Sequence, residues 1–397
     1  MKMKGWGDVS FHGSPQIPTP NLDSLAADGI VLNSLYGGPS CAPSRAALMT
    51  GLYPVRYGAP RYFPSSSTLR RCWLDGNAEA LPSVFKSAAC LCTWGELADK
   101  GHCGYDFWFN QEVLESASGV YSMDIFLSRA TTVIRDHDIS QETFADSCVS
   151  FGHLGLLDTL DQATGVVLEA LYEKGMLENC LIVFSSDNGA DIAGGGSNWP
   201  LRGVKQTLWE GGVRLPAFVW SPLLGARGRV SWDPMHFVDW LPTLYHMAGG
   251  NTDDLGPIDG VSQWETLSTG APSKRQELLL GFNVLNSAGA YRSGRYKLVV
   301  SPSDGSWDEF REEPPGNVSL AIDLDQLMAD SAVAQTLAKF YNTGTPSRCE
   351  ARVEAVRFHL LRLGAGEQLQ DRGLPLTYST SSATLAKRRT LQASGAT

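Results

Sequence analysis

Cys41-Ala42-Pro43-Ser44-Arg45-Ala46-Ala47-Leu48-Met49-Thr50-Gly51 is the stretch on which the reading of this chain turns, because it sets a cysteine where a helix begins. Gly37, Gly38 and Pro39 keep the preceding backbone out of a helix, Pro43 suits a first helical position, Ala46 to Met49 favour the helix, and Gly51 is a natural stop. Cys41 is therefore expected just ahead of several unpaired N–H groups. Those donors and the helix dipole favour an anion beside Cys41, and Arg45, one turn in, can add a guanidinium fork to a tetrahedral oxyanion. A lone cysteine at a helix start is ordinarily a small buried hydrophobe, so the weight rests on the whole pattern.

Working outward, Pro20 to Gly29 reads as a short capped helix with Leu22, Leu25 and Ala26 on one face, and Ile30-Val31-Leu32 as a buried strand running toward the Cys41 loop. Asp158 to Lys174 has the spacing of an amphipathic helix, carrying Leu160, Ala163, Val167, Leu168 and Leu171. The apolar run Leu181-Ile182-Val183-Phe184 follows and reads as a parallel strand. Helix, apolar strand and polar loop in succession is the α/β rhythm, and such folds place ligands beyond the carboxyl ends of strands. Ser185-Ser186-Asp187-Asn188-Gly189 stands at such an end. Its carboxylate and amide oxygens suit Ca²⁺ or Mg²⁺ better than zinc, although Asp-Asn-Gly by itself is more often a turn. Past residue 280, Tyr291 to Val300 reads as a hairpin, with Ala332 to Tyr341 and Arg352 to Leu363 as helices. From Tyr378 onward, Ser, Thr and Ala around Lys387-Arg388-Arg389 predict a disordered tail.

Bulk properties narrow the function classes. A chain of 397 residues with 43% hydrophobic and 19% charged content can bury a large core and a smaller second one. The net charge of −10, without a Lys/Arg patch, argues against a nucleic-acid partner. No apolar run is long enough for a membrane span, and Met1-Lys2-Met3-Lys4-Gly5-Trp6 lacks the apolar core of a signal peptide. Eight cysteines over this length do not make a disulfide scaffold, and Asn317-Val318-Ser319 is a lone glycosylation sequon.

The seven positions Cys41, Pro43, Ser44, Arg45, Leu48, Thr50 and Gly51 match the signature of the sulfatase family, which the chain resembles. Asp187-Asn188, the segment Gly195 to Arg214 with Lys205 within it, Gly5 to Ser14, and Cys103-Gly104-Tyr105-Asp106 resemble its arylsulfatase B-like branch. The resemblance implies a sulfatase/alkaline-phosphatase-like α/β fold, a mixed sheet flanked by helices. With the change of sequence texture past residue 280, this gives a catalytic domain over residues 1–280, a smaller α+β domain over 281–377 and the tail over 378–397. The resemblance further implies that Cys41 is oxidised before folding to formylglycine, by the formylglycine-generating enzyme, and serves as nucleophile toward the sulfur of a sulfate ester. Asp187, Asn188 and the modified Cys41 would then ligate Ca²⁺ (or Mg²⁺), while Arg45 and Lys205 would hold the sulfate. The implied substrate is a sulfated small molecule or a glycosaminoglycan, such as N-acetylgalactosamine 4-sulfate, and the implied compartment lysosomal or extracellular.

Departures from the family pattern are equally specific. Relatives open on a strand ending in Asp-Asp-Leu-Gly, whose aspartates bind metal, and here Lys2 and Met3 stand in those places. A Lys-Trp-His-Leu-Gly segment, which supplies a lysine and a histidine, has no counterpart in residues 60 to 100; Lys100-Gly101-His102 is a poor substitute. No Val-His-x-Pro follows Asp138, His153 has the wrong neighbours, His236 reads as structural and His137 as a surface residue. Two expectations result: an active sulfatase of which this is an incomplete version, or a non-catalytic sulfatase-like protein that binds sulfated glycans. A phosphatase-type relative fits poorly, since such enzymes do not need the Cys-Ala-Pro-Ser-Arg segment.

Overall fold

The computed structural model describes residues 5–14, 17–57, 91–93, 107–109, 112–113, 120–139, 157–191, 195–283, 288–300, 323–343 and 378–379. In chain order the first half holds α1 (Pro20–Asp28), β1 (Ile30–Leu32), β2 (Leu35–Tyr36), α2 (Cys41–Thr50), β3 (Leu91–Thr93), β4 (Phe107–Phe109), β5 (Glu112–Val113), α3 (Ser122–Asp136) and α4 (Leu157–Glu173). Then follow β6 (Ile182–Ser185), α5 (Glu210–Val213), β7 (Ala217–Trp220), β8 (Arg229–Ser231), β9 (Met235–His236), α6 (Trp240–Met247) and α7 (Trp264–Thr269). The last described elements are β10 (Glu277–Asn283), β11 (Ala288–Ser293), β12 (Tyr296–Val300), α8 (Leu324–Ala329), α9 (Ala332–Phe340) and β13 (Tyr378–Ser379).

The central sheet has the order β6-β7-β1-β8, with β7 antiparallel to both its neighbours and β1 parallel to β8. The expected α/β architecture, a mixed sheet between helices, is therefore observed. One expectation is corrected: the apolar run before Asp187 forms β6, but it pairs antiparallel with β7. Apolar continuity reports burial, whereas strand direction is set by the partner that arrives from elsewhere in the chain.

Alternation along the central strands divides the core. Val31, Phe218 and Trp220 pack with Leu22, Leu25 and Ala26 of α1, Leu168 and Leu171 of α4, and Val333 and Leu337 of α9. Ile30, Leu32, Ala217 and Val219 point the other way, into a cluster with Ala47 of α2 and Trp240 of α6. Pairing of α1 to α4 is fixed by Asp161, whose carboxylate accepts the N–H groups of Asn21 (3.2 Å) and Leu22 (2.8 Å) at the start of α1. Gly29 closes that helix, and a Cβ there would lie 2.4 Å from the Val219 carbonyl oxygen, so only glycine lets β1 enter beside β7.

The hairpin expected at Tyr291–Val300 is present as β11 and β12 in the antiparallel sheet of β10 to β12, and the helix expected at Ala332 is α9. Arg352 to Leu363 and the tail past Tyr378–Ser379 lie outside the described residues. A buried ionic cluster fastens this second sheet to the body. Lys297 of β12 donates to Glu210 Oε1 (2.7 Å), Tyr36 of β2 donates to Glu210 Oε2 (2.8 Å), and Arg292 of β11 donates to the Tyr36 hydroxyl (2.7 Å). Burial alone would raise the Glu210 carboxyl, but Lys297 and Arg214 outweigh it and hold it down at about 2.

Because its folded value lies below its unfolded one, Glu210 contributes full stability above pH 4.5 and loses it as pH falls through about 2. Glu210→Gln leaves Lys297 buried without its partner, and the expected cost at pH 7 is roughly 3 kcal/mol. Urea titrations from pH 7 to pH 2 test this: the gap between wild type and variant should close only below pH 4.5. A gap independent of pH would mean that ionisation of Glu210 is irrelevant to the docking of the sheet.

Candidate anion-binding site

The expected helix start is present, two residues earlier than a first-position Pro43 implies. Ser40, in extended backbone (φ −152°, ψ 171°), is the residue before α2, so Cys41 is the first helical residue and Pro43 the third. Proline is tolerated there because N–H groups of the first turn have no intrahelical acceptor in any case. Gly51 ends the helix in the left-handed region (φ 67°), donating to the Ala47 carbonyl at 3.0 Å. Ser44 explains its own place in the motif: its Oγ accepts the Gly38 N–H (2.9 Å) and lies 3.2 Å from the Gly38 carbonyl, folding residues 38–40 back over the helix end. The Gly37 N–H is bonded to the Val213 carbonyl (2.9 Å), which anchors the loop from its other side.

Asp187 and Asn188 follow β6 directly, as expected of residues at a strand end. The Arg45 Nε and Nη2 both lie 2.9 Å from Asp187 Oδ2, so the guanidinium expected to face an incoming oxyanion is turned toward this carboxylate. Asn188 is fully buried; its amide nitrogen donates to the Gly189 carbonyl (2.7 Å), and its Oδ1 has no hydrogen-bond partner among the described residues. Gly189 is required by a close approach, since a Cβ there would fall 1.7 Å from the Gly211 carbonyl oxygen.

Lys205 reaches the same place from a third segment. Its N–H donates to the Ala190 carbonyl (3.0 Å), and the next residue, Gln206, donates its N–H to the Pro39 carbonyl (2.7 Å). The strap 204–207 thus bridges the loop after β6 to the loop before Cys41. It is a tight turn, closed by Thr207 N–H to Val204 carbonyl (2.9 Å), with Gln206 at φ 74°. That position of such a turn asks for glycine, and a side chain there costs roughly 1 kcal/mol. Asn198 braces the strap: its Oδ1 accepts the Ala190 N–H (2.8 Å), and its Nδ2 lies 3.2 Å from the carbonyls of Ala190 and Gly203. Asp8 in turn holds the Ser197 N–H at 2.8 Å. No spacing rule in the sequence marks Asn198, Asp8 or Gln206, because the task of each is to tie one loop to another.

Cys41, Arg45, Asp187 and Lys205 therefore converge. Burial, then the Asp187 charge, pushes the half-buried Cys41 thiol up, while Lys205 and Arg45 pull it down with less effect. A thiol held protonated is a poor nucleophile as it stands. The buried histidines serve structure. His236 caps the helical turn at Phe237–Asp239 through Nδ1, His12 lies against the Trp6 carbonyl at 3.1 Å, and burial lowers each to about 3, leaving both neutral. His137, half-buried, follows the end of α3. Lys2, Met3, Lys100, His102 and His153 lie outside the described residues.

A divalent cation of the kind implied above finds two hard donors here, the Asp187 carboxylate and the orphaned Asn188 Oδ1. Ca²⁺ takes six to eight oxygens, and among the described residues no three His, Cys, Asp or Glu side chains come together. The described donor set does not amount to a complete metal site. Calorimetry should accordingly find Ca²⁺ binding weaker than about micromolar, and sub-micromolar binding abolished by Asp187→Asn would show that further ligands reach the site. Lys205→Ala is expected to weaken inorganic sulfate binding about tenfold, the usual loss for one charge-assisted contact.

Comparison with known proteins gives a consistent result. The Sulfatase family model matches residues 3–145 and 152–250. Mouse arylsulfatase J is 32% identical over 384 residues, covering 77% of this chain and 64% of its own length. Rat N-acetylgalactosamine-6-sulfatase is 27% identical over 78% of this chain and 71% of its own. Human arylsulfatase A is 28% identical over 80% and 77%, respectively. The chain thus spans just under two thirds of the mouse protein. Among solved structures, Ps i-CgsB in complex with k-i-k-neocarrahexaose superposes with a TM-score of 0.63 at 19% identity, over 94% of this chain and 97% of that one. The putative sulfatase yidJ from Bacteroides fragilis gives 0.58 at 17% identity, over 90% and 95%.

Proposed function

We propose that this chain, which belongs to the Sulfatase family, is a sulfuric ester hydrolase of the formylglycine type that acts on sulfated carbohydrate. The observation that carries this reading is the convergence, at the first turn of α2, of Cys41 with Lys205 and the Arg45–Asp187 pair. Formylglycine made from Cys41 by the formylglycine-generating enzyme would supply the oxygen nucleophile that the raised thiol does not. This chain's own residues do the holding. Lys205 and the open N–H groups of α2 neutralise the sulfate oxygens, and Arg45 keeps Asp187 from repelling the anion. The arylsulfatase B-like motifs favour N-acetylgalactosamine 4-sulfate of glycosaminoglycans, while the likeness to N-acetylgalactosamine-6-sulfatase keeps the sulfate position open between 4 and 6. A secretory route to lysosome or cell exterior follows from the modification; no helix among the described residues is long and apolar enough to cross a membrane.

A second reading is favoured by one specific observation. Among the described residues no histidine is assigned to the reaction, and each absent general acid or base typically costs about 10² to 10⁴ in rate. The site would then grip sulfated glycans with little or no turnover.

One experiment separates the two. Produced through a eukaryotic secretory pathway, the protein should carry formylglycine at position 41 by peptide mass spectrometry. It should hydrolyse 4-nitrocatechol sulfate slowly, and Cys41→Ala should abolish that activity. Unmodified cysteine with no turnover, but retained binding of chondroitin sulfate, would establish the binding protein instead.

A further inference from the structure

Gln206 adopts a backbone conformation that glycine would adopt without strain (φ 74°), and it does so at the corner of the turn that also carries Lys205. Its N–H is fixed to the Pro39 carbonyl at 2.7 Å, two residues before Cys41. Its side chain is exposed and enters no hydrogen bond or ion pair with the described residues. A strained residue whose side chain the fold does not use is most simply explained by a ligand that does use it.

We propose that Gln206 is a specificity-determining residue that hydrogen-bonds the sugar next to the sulfate. The inference rests on the site being a sulfate-ester site for sulfated carbohydrate, and it adds the residue that contacts the sugar. The hydrogen bond from the Gln206 N–H to the Pro39 carbonyl sets this corner beside the start of α2, where the carrier of a sulfate held by Lys205 would lie. The Gln206 side-chain amide offers two donors and an acceptor, which match ring hydroxyls or an acetamido group and have nothing to match on a plain aryl ring. Lys205 thus reads the sulfate and Gln206 the sugar.

The test uses the full chain in a Cys41→Ala background, so that nothing is turned over, and two probes in calorimetry: inorganic sulfate and a chondroitin 4-sulfate disaccharide. Gln206→Gly should weaken the disaccharide about three- to tenfold, the range for one neutral hydrogen bond. Inorganic sulfate should bind as before, and the melting temperature should stay level or rise, because glycine relieves the backbone. Unchanged disaccharide affinity would overturn the proposal, as would equal weakening of both probes. If the parent binds sulfate but the disaccharide no more tightly, the specificity role fails while the sulfate site stands. If it binds neither, the sulfate-ester reading itself falls.

Discussion

The Arg45–Asp187 ion pair joins positions 142 residues apart, and the geometry of the site follows from it. Neither charge is free in water: the side chains are 37% and 16% exposed. A partly desolvated carboxylate at a strand end needs a counter-charge, and the guanidinium that provides it extends from the second turn of α2. Once the two are held together, the first turn of that helix, with Cys41 in it, must lie over the end of β6. The strap 204–207 then closes the remaining side through two backbone hydrogen bonds, and Lys205 comes along with it.

This arrangement gives the site an unusual electrostatic balance. Arg45 cancels Asp187, which leaves Lys205 and the helix N-terminus as the positive field for an anion. The protein as a whole carries a net charge of −10, so the attraction of an anionic ester that the proposed function requires would be local and short-ranged. Such a site discriminates by contact geometry more than by long-range steering, which is consistent with specificity residing in the corner of the strap.

Rigidity in the surroundings serves the same end. Glycines at 29 and 189 allow backbone approaches that any side chain would block. The cluster of Glu210, Lys297, Tyr36 and Arg292 clamps the second sheet against β2, close to where the loop toward Cys41 begins. Asn198 and Asp8 brace the strap from behind. The side chains of Asn198, Asp8 and Glu210 each meet two or more defined partners, which specifies one arrangement where an apolar contact would tolerate several.

Local rules determined what was local. The helix from Cys41 to Thr50, its glycine stop, the amphipathic helix before β6, the strand at Ile30 and the hairpin near residue 295 are each encoded within a dozen neighbouring residues, and all are legible in the sequence. That Cys41, Arg45, Asp187, Asn188 and Lys205 share one site is implied by the resemblance to the sulfatase motifs, since no spacing within the chain links segments so far apart. What only the tertiary structure decided is pairwise and distant. It set the antiparallel direction of β6 against β7, turned Arg45 toward Asp187, left Asn188 Oδ1 without a partner among the described residues, and put Gln206 into a glycine's conformation. A strand's direction, an ion pair's partner and a backbone strain depend on segments that arrive from elsewhere in the chain, and periodicity within one segment holds no record of them.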